Sequence, residues 1–335
     1  ALYLADRRSN AVNLLIARYQ AGFRAASMFE AGPSGYDAVF ISTHKLIGGP
    51  GTPGLLVFNP KLYRLRAPST AGGGTVRYVS AEEHYFIDDI EQREDAGTPG
   101  TLQRIRAALA FMIKDAVGAD TIERLEGDMI RTAIERLRRH PRIELLGNLD
   151  APRLAILAFL VRTADGRYLH PRLVVRLLND LFGIQSRGGC ACAGPYAHRL
   201  LGIDGTRAAQ FRDAVLRGFE AVKPGWTRLN FSYFIEREEF EFILAAIEFI
   251  AEHGERFVAQ YQCDWHSGAW RHVRDVPQPG LAALVASASG TAQVRAPSLK
   301  ECMARAHALL AQMPTAVSLR KHPEGLSSGL VSFRC

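Results

Sequence analysis

Two short apolar runs, one within "YDAVFIS" at 36–42 and the other "GLLVF" at 54–58, stand on either side of the loop in "ISTHKLIGGPGTPG" at 41–54. Apolar runs of that length bounded by turn residues read as strands, and the first is predicted to be buried through Val39, Phe40 and Ile41. Pro50 and Pro53 lack backbone donors and the glycines favour turns, so no helix or strand continues through the segment. Lys45 therefore falls where a strand of a packed sheet gives way to a tight connection. In α/β proteins that is a common place for functional residues, and on position alone it is also an ordinary place for a surface lysine.

The 335 residues leave room for two domains, and 47% hydrophobic content is ample for packed cores. The net charge of +7 mixes 41 basic with 34 acidic residues, without a lysine-rich tail or a basic stripe interleaved with aromatics. Nucleic-acid binding is not expected on those grounds. The longest apolar runs, such as "LAILAFLV" at 154–161, are too short to span a bilayer and suit buried strands, so no membrane partner is expected. Five cysteines do not make a disulfide framework in so long a chain, which favours a reducing, cytoplasmic setting. Residues 1–30 open on alanine and carry no signal-peptide pattern, and the chain reads as a fragment.

Helical periodicity appears first in "NAVNLLIARYQAGF" at 10–23. A glycine-rich loop within 67–80 leads to a possible strand. In the helix after "GTPG" at 97–100, Leu102, Ile105, Leu109, Met112 and Ile113 share one face, with Gly118 as its stop. Asp120 then reads as the N-cap of a long helix that turns Ile122, Leu125, Met129, Ala133 and Leu137 inward. Composition shifts at 142–153, which places a domain boundary there. "TADGR" at 163–167 is a turn, and the next helix has Pro171 early and Gly183 at its end. "TRLNFSYF" at 227–234 reads as a strand, Glu236–Glu252 as a helix, and "SLKECMARAHALLAQM" at 298–313 as the one clear pattern beyond 262.

A second loop, "SRGGCACAGPYAHRLLG" at 186–202, sets Cys190 and Cys192 among small residues. A metal is not expected, because Cys-x-Cys supplies two ligands at most and no partner pair stands at zinc-like spacing. Neither glycine-rich stretch ends in the Gly-Lys-Ser/Thr of a phosphate loop, and redox pairs usually separate their cysteines by two residues. What remains is an exposed thiol favoured as thiolate by Arg187, or two small residues filling a loop.

Taken together, the loops resemble a family. Ser-x-His-Lys followed by Gly-Pro-Gly looks like the pyridoxal-phosphate lysine motif of class V aminotransferases, the group that includes the cysteine desulfurases. "DAGTPG" at 95–100 is similar to the family's Gly-Thr-Pro motif, "SRGGCACAGP" to the active-site cysteine loop of one desulfurase branch, and "TRLNFSYF" to the strand that supplies the substrate-carboxylate arginine. The resemblance spans about 36–260 and implies pyridoxal 5'-phosphate as cofactor and an amino acid as substrate. Lys45 would form the Schiff base, which requires a deprotonated amine and is helped by a desolvated strand end. Ser42 and His44 would hold the cofactor phosphate, and Thr98 would reach that of a neighbouring subunit, implying a homodimer. Arg228 would clamp the substrate carboxylate through a two-pronged bond. Cys192 would be the nucleophile that takes sulfur from cysteine, with a sulfur-acceptor protein as a further partner.

The resemblance also implies a fold-type-I α/β architecture, incomplete at its N-terminus. Upstream of the lysine the family supplies an aspartate to the pyridine nitrogen, whereas "LIARYQAGFRAASMFE" at 15–30 contains none. The predicted domains are a partial large cofactor-binding domain at 1–141, a small α+β domain at 142–261 and an extension of unclear structure at 262–335. Three functions follow: a cysteine desulfurase-like enzyme, an aminotransferase or related lyase that does not use Cys192, or a non-catalytic fragment of the fold.

Overall fold

The computed structural model describes residues 2–3, 38–189, 194–275, 297–315, 322–331 and 333–334. The helical pattern at 10–23, the window at 15–30 and both Cys190 and Cys192 lie outside the described residues. The chain divides into two compact units, Ala1–Ile122 and Glu123–Cys335.

In the first unit, β1 (Leu2–Tyr3), β2 (Ala38–Ile41) and β3 (Leu55–Phe58) form an antiparallel sheet in the order β1-β3-β2. β3 alternates buried and half-buried residues, sending Leu55 and Val57 into a small core. A hairpin follows, β4 (Val76–Val79) with β5 (His84–Phe86), and then the one-turn helix α1 (Ile90–Arg93), whose Asp89 cap accepts from the Gln92 amide. Helix α2 (Thr101–Val117) ends at Gly118, where φ is +87°.

Two expectations fail here for related reasons. Phe40, expected in the core, is 80% exposed, because successive side chains of an antiparallel strand point to opposite faces. In α2 the buried residues are Ala107, Ala108, Ala110 and Phe111, while Leu102, Ile105, Leu109, Met112 and Ile113 stay exposed. A stripe of alanines lets the helix backbone approach the small sheet closely, with Phe111 filling the space against Leu55 and Val57. Each of those larger side chains contributes about 1.5–3 kcal/mol on burial.

The second unit begins within α3 (Ala119–Leu137) and runs through β6 (Ile143–Leu145), β7 (Ile156–Val161) and β8 (Tyr168–Leu169) to α4 (Pro171–Phe182). It continues with β9 (Arg187–Gly189), α5 (Gly194–Leu200), α6 (Gly205–Leu216), β10 (Trp226–Asn230) and α7 (Arg237–His253). The hairpin β11 (Tyr261–Cys263) and β12 (Trp270–His272), helix α8 (Leu299–Gln312) and β13 (Phe333–Arg334) complete it. Its main sheet is antiparallel in the order β6-β7-β10-β9, and β13 pairs in parallel with β8.

Local chemistry explains the helix limits. His170 caps α4, accepting the Arg172 amide, and Gly183 closes it in the left-handed region at φ +69°. Capping boxes open α7 through Glu236 and Glu239, and α8 through Ser298 and Glu301. Asp120, expected as a cap, instead lies in the first turn of α3, where its carboxylate still faces the positive end of the helix dipole. The buried strand expected from residue 154 begins at Ile156, and Leu154 is exposed.

One core unites the sheet, α4 and α7 through Leu157, Phe159, Leu177 and Ile247. Ile130, Ala133, Ile134 and Leu137 of α3 belong to it, so the compact units part within α3, whereas composition pointed to 141/142. Trp270, Ala306, Leu310 and Phe333 belong to it as well. The described residues beyond 262 therefore share the hydrophobic interior of the unit that contains 142–261.

Candidate active site

Lys45 closes a 3-10 turn, Thr43–Lys45, that follows β2 directly. Thr43 is fully buried; its hydroxyl donates to the Pro53 carbonyl and lies 2.8 Å from the Thr52 hydroxyl. The Gly-Pro loop folds back to make this possible. The Gly49 amide bonds to the Leu46 carbonyl, and a Cβ on Gly49 would stand 2.1 Å from the Thr43 carbonyl oxygen, so only glycine fits. With Thr43 held inward, Ser42, His44 and Lys45 are all exposed, and none has a side-chain hydrogen bond among the described residues. The desolvated strand end expected around Lys45 is not seen, since the turn carries the lysine beyond the sheet. Thr43 and Gly49 escaped the motif reading, although a buried threonine within a Gly-Pro loop is a signal of an anchored turn.

Thr98 sits on a second loop of the same unit. Gly97, at φ +88°, donates its amide to the Gly73 carbonyl, and Asp95 pairs with Arg104 at 2.6 Å in a largely buried ion pair. Next to it, Glu94 accepts from the Tyr63 hydroxyl and from the amide and hydroxyl of Ser69. Burial, followed by the bond to Glu94, pushes the Tyr63 phenol above its ordinary value. Thr98 itself is exposed and does not cap α2, whose N-cap position is Gly100 without a side-chain bond.

In the second unit Arg228 occupies the middle of β10, half-buried, paired across the sheet with Ala158 on β7 and Arg187 on β9. Directly opposed residues of an antiparallel pair share a face, and two like charges there repel. β9 is packed tightly enough to require its glycines: a Cβ on Gly188 would lie 2.6 Å from the Pro171 carbonyl oxygen. The strand leads into 190–193, which with Cys192 are outside the described residues. Structure thus gathers Ser42, His44 and Lys45 on one turn, with Thr98 on another loop of that unit and Arg228 in the other unit. Among the described residues no three His, Cys, Asp or Glu side chains cluster as a metal site, and no helix is long and apolar enough to cross a membrane.

Residues 28–217 match the Aminotransferase class-V family. The probable cysteine desulfurase 2 of Mycobacterium leprae is 30% identical over 182 residues, which cover 53% of this chain and 40% of that protein. A cysteine desulfurase of Klebsiella pneumoniae is 31% identical over 165 residues, covering 49% and 38%. Among solved structures, the apo cysteine desulfurase of Thermococcus onnurineus aligns with a TM-score of 0.51 at 25% identity, over 64% of this chain and 47% of that one. The chain therefore spans less than half the length of these relatives, whose fold-type-I α/β architecture it shares in part. The family match contains Lys45, Thr98 and the Cys190–Cys192 loop and stops short of Arg228. By that match, the chain belongs to the class V aminotransferase family.

Proposed function

We propose that this chain carries the lysine half of a pyridoxal-phosphate site and serves a cysteine desulfurase-like reaction. The observation that carries the reading is the anchored turn, which presents a hydroxyl, an imidazole and an amine outward while Thr43 holds the backbone. This donor set suits a phosphorylated aldehyde: Ser42 and His44 can donate to phosphate oxygens, and Lys45 can condense with the aldehyde carbon. Pyridoxal phosphate, when bound, supplies an electron sink for the Cα of an amino acid.

The chain's own groups do the rest. Lys45 would move the Cα proton of the bound amino acid. Arg228 holds the substrate carboxylate, and the Arg187 beside it in register makes that edge of the sheet favourable for an anion. Cys192 attacks the sulfur of a substrate cysteine; its S–S bond forms as the Cβ–S bond breaks, the carbon takes up a proton, and alanine leaves. The persulfide then passes to an acceptor protein. Thr98, exposed and idle as a helix cap, reaches a second subunit's phosphate in a homodimer. Cysteine usage favours a reducing, cytoplasmic setting for this chemistry.

The test is borohydride reduction of the chain supplied with pyridoxal phosphate, followed by peptide mass mapping. A pyridoxyl adduct on Lys45 is the expected result. A chain that is folded by circular dichroism and shows no adduct there would refute the reading.

A further inference from the structure

The loop that closes the lysine turn is held against α2 by a side chain that belongs to none of the motifs. On α2, Arg104 is spent on Asp95 at 2.6 Å. Arg106 is exposed and forms no ion pair among the described residues; its Nη1 donates instead to the Pro50 carbonyl at 3.0 Å. Two glycines let the loop lie this close. Gly51 adopts φ +86°, and a Cβ there would stand 3.4 Å from that same nitrogen. Gly48 adopts φ +75°, and a Cβ there would stand 3.8 Å from Ile113 Cδ1. Arg106 and Ile113 are about two helical turns apart, so the loop follows one stripe of α2.

From Pro50 the restraint passes back to Lys45. Pro50 lies inside the turn closed by the Thr52 amide on the Gly49 carbonyl at 3.0 Å. Thr52 Oγ1 is 2.8 Å from Thr43 Oγ1, and Thr43 is the buried middle residue of the turn that ends at Lys45. On the other side of Pro50, a Cβ on Gly49 would come within 3.1 Å of the His44 Cα. Pro50 therefore has little freedom to shift without moving the backbone that carries Ser42, His44 and Lys45. Water competes for an exposed bond of this kind, so its weight in overall stability is small. Its weight in alignment is larger, because reacting groups tolerate little misplacement.

We propose that Arg106 is a positioning residue for Lys45: by bracing the Pro50 carbonyl it fixes the loop on which the Ser42–Lys45 turn hangs and aligns the amine with the two side-chain donors beside it. The inference rests on the pyridoxal-phosphate reading of that turn and assigns the turn a support 56 residues beyond its loop.

The test compares the full chain with Arg106→Met, which keeps an apolar stem, and Arg106→Lys, which keeps a charged donor. Hydrogen exchange at the Gly49 and Thr52 amides is followed without cofactor. Arg106→Met should speed it about three- to tenfold, the loss of one hydrogen bond, and Arg106→Lys should restore it. Borohydride trapping at Lys45 is then measured with pyridoxal phosphate and with pyridoxal, which lacks the phosphate. Arg106→Met should lower the preference for the phosphorylated aldehyde by a similar factor, whereas simple destabilisation would lower both reactions alike. Unchanged exchange in Arg106→Met overturns the brace, as does an equal loss in both variants. Faster exchange with an unchanged preference overturns the positioning role. A parent chain that labels Lys45 no better with pyridoxal phosphate than with pyridoxal refutes the cofactor reading, and the role given to Arg106 with it, while the exchange comparison still reports the brace.

Discussion

His170 ties four parts of the second unit together, and it does so only while neutral. Its Nδ1 accepts the Arg172 amide at the start of α4, and its Nε2 donates to the Ala221 carbonyl at 3.0 Å. The ring meets Phe333 of β13 edge-on, with centroids 4.4 Å apart, and tilts against Trp270 of β12. Burial is the largest cause of its lowered pKa, about 4 against an ordinary 6.5, with a counteracting bond to Ala221 and a smaller push from the Arg172 charge. Since the folded value is depressed, the unfolded chain takes up the proton first as pH falls. The contribution to stability is complete above pH 6.5 and disappears progressively towards pH 4. At about 1.4 kcal/mol per pH unit, that interval corresponds to a loss of about 3 kcal/mol. Urea unfolding followed by tryptophan fluorescence reports this unit selectively, because all three tryptophans, Trp226, Trp265 and Trp270, belong to it. His170→Asn keeps a good N-cap and removes the titrating ring. It should be less stable at neutral pH by about 1–3 kcal/mol, from lost packing and the lost bond to Ala221, and should lose less stability than the parent on acidification. Parallel stability curves for parent and variant between neutral pH and about pH 4.5 would refute the assignment of that slope to His170.

Thr43→Val keeps the shape of the turn's anchor but strands the Pro53 carbonyl. It should cost the first unit about 1–3 kcal/mol by denaturant unfolding and reduce pyridoxyl labelling of Lys45. Gly49→Ala should act in the same direction, since its Cβ collides with the Thr43 carbonyl, and an unperturbed chain would show that the loop is not closed as described. Arg136→Met removes a guanidinium shared between Glu241 and Glu248. Because the arginine is 35% exposed, the loss should stay within about 1 kcal/mol and shrink at high salt, as read from paired urea titrations. Cys192→Ala should abolish sulfide release from cysteine while sparing labelling of Lys45, and a variant that still releases sulfide would exclude Cys192 as the acceptor.

What could be read from sequence was whatever is written within a few neighbouring residues. Pro171 and Gly183 bracket α4 because a fixed φ suits its first turn and a left-handed one suits its end. The Ser42–Lys45 motif likewise lies on a single turn, so its members were bound to be neighbours in space. Choices made against distant partners were not legible. In α2 the five large apolar residues outweigh the alanine stripe by hydrophobicity, yet the narrow space above β3 accepts the alanines. Phe40 follows the strand's alternation and not the hydrophobicity of its run. The Arg106 bond to the Pro50 carbonyl joins residues 56 positions apart, and no periodicity announces such a convergence. Thr98 and Arg228 were singled out by resemblance alone, and their exposure and register became visible only in three dimensions.

The turn after β2 has a mechanical consequence. Ser42, His44 and Lys45 share one short arc of backbone whose inward fastening is the Thr43 hydroxyl. Anything that rotates that arc displaces the Lys45 amine and the Ser42 and His44 side chains together. On the proposed function, affinity for a phosphorylated ligand and reactivity towards its aldehyde would be geared to one another, and substitutions in 46–53 should degrade both in proportion. A lineage that loosened this loop would lose grip and chemistry in the same step, with no intermediate form that binds well and reacts poorly.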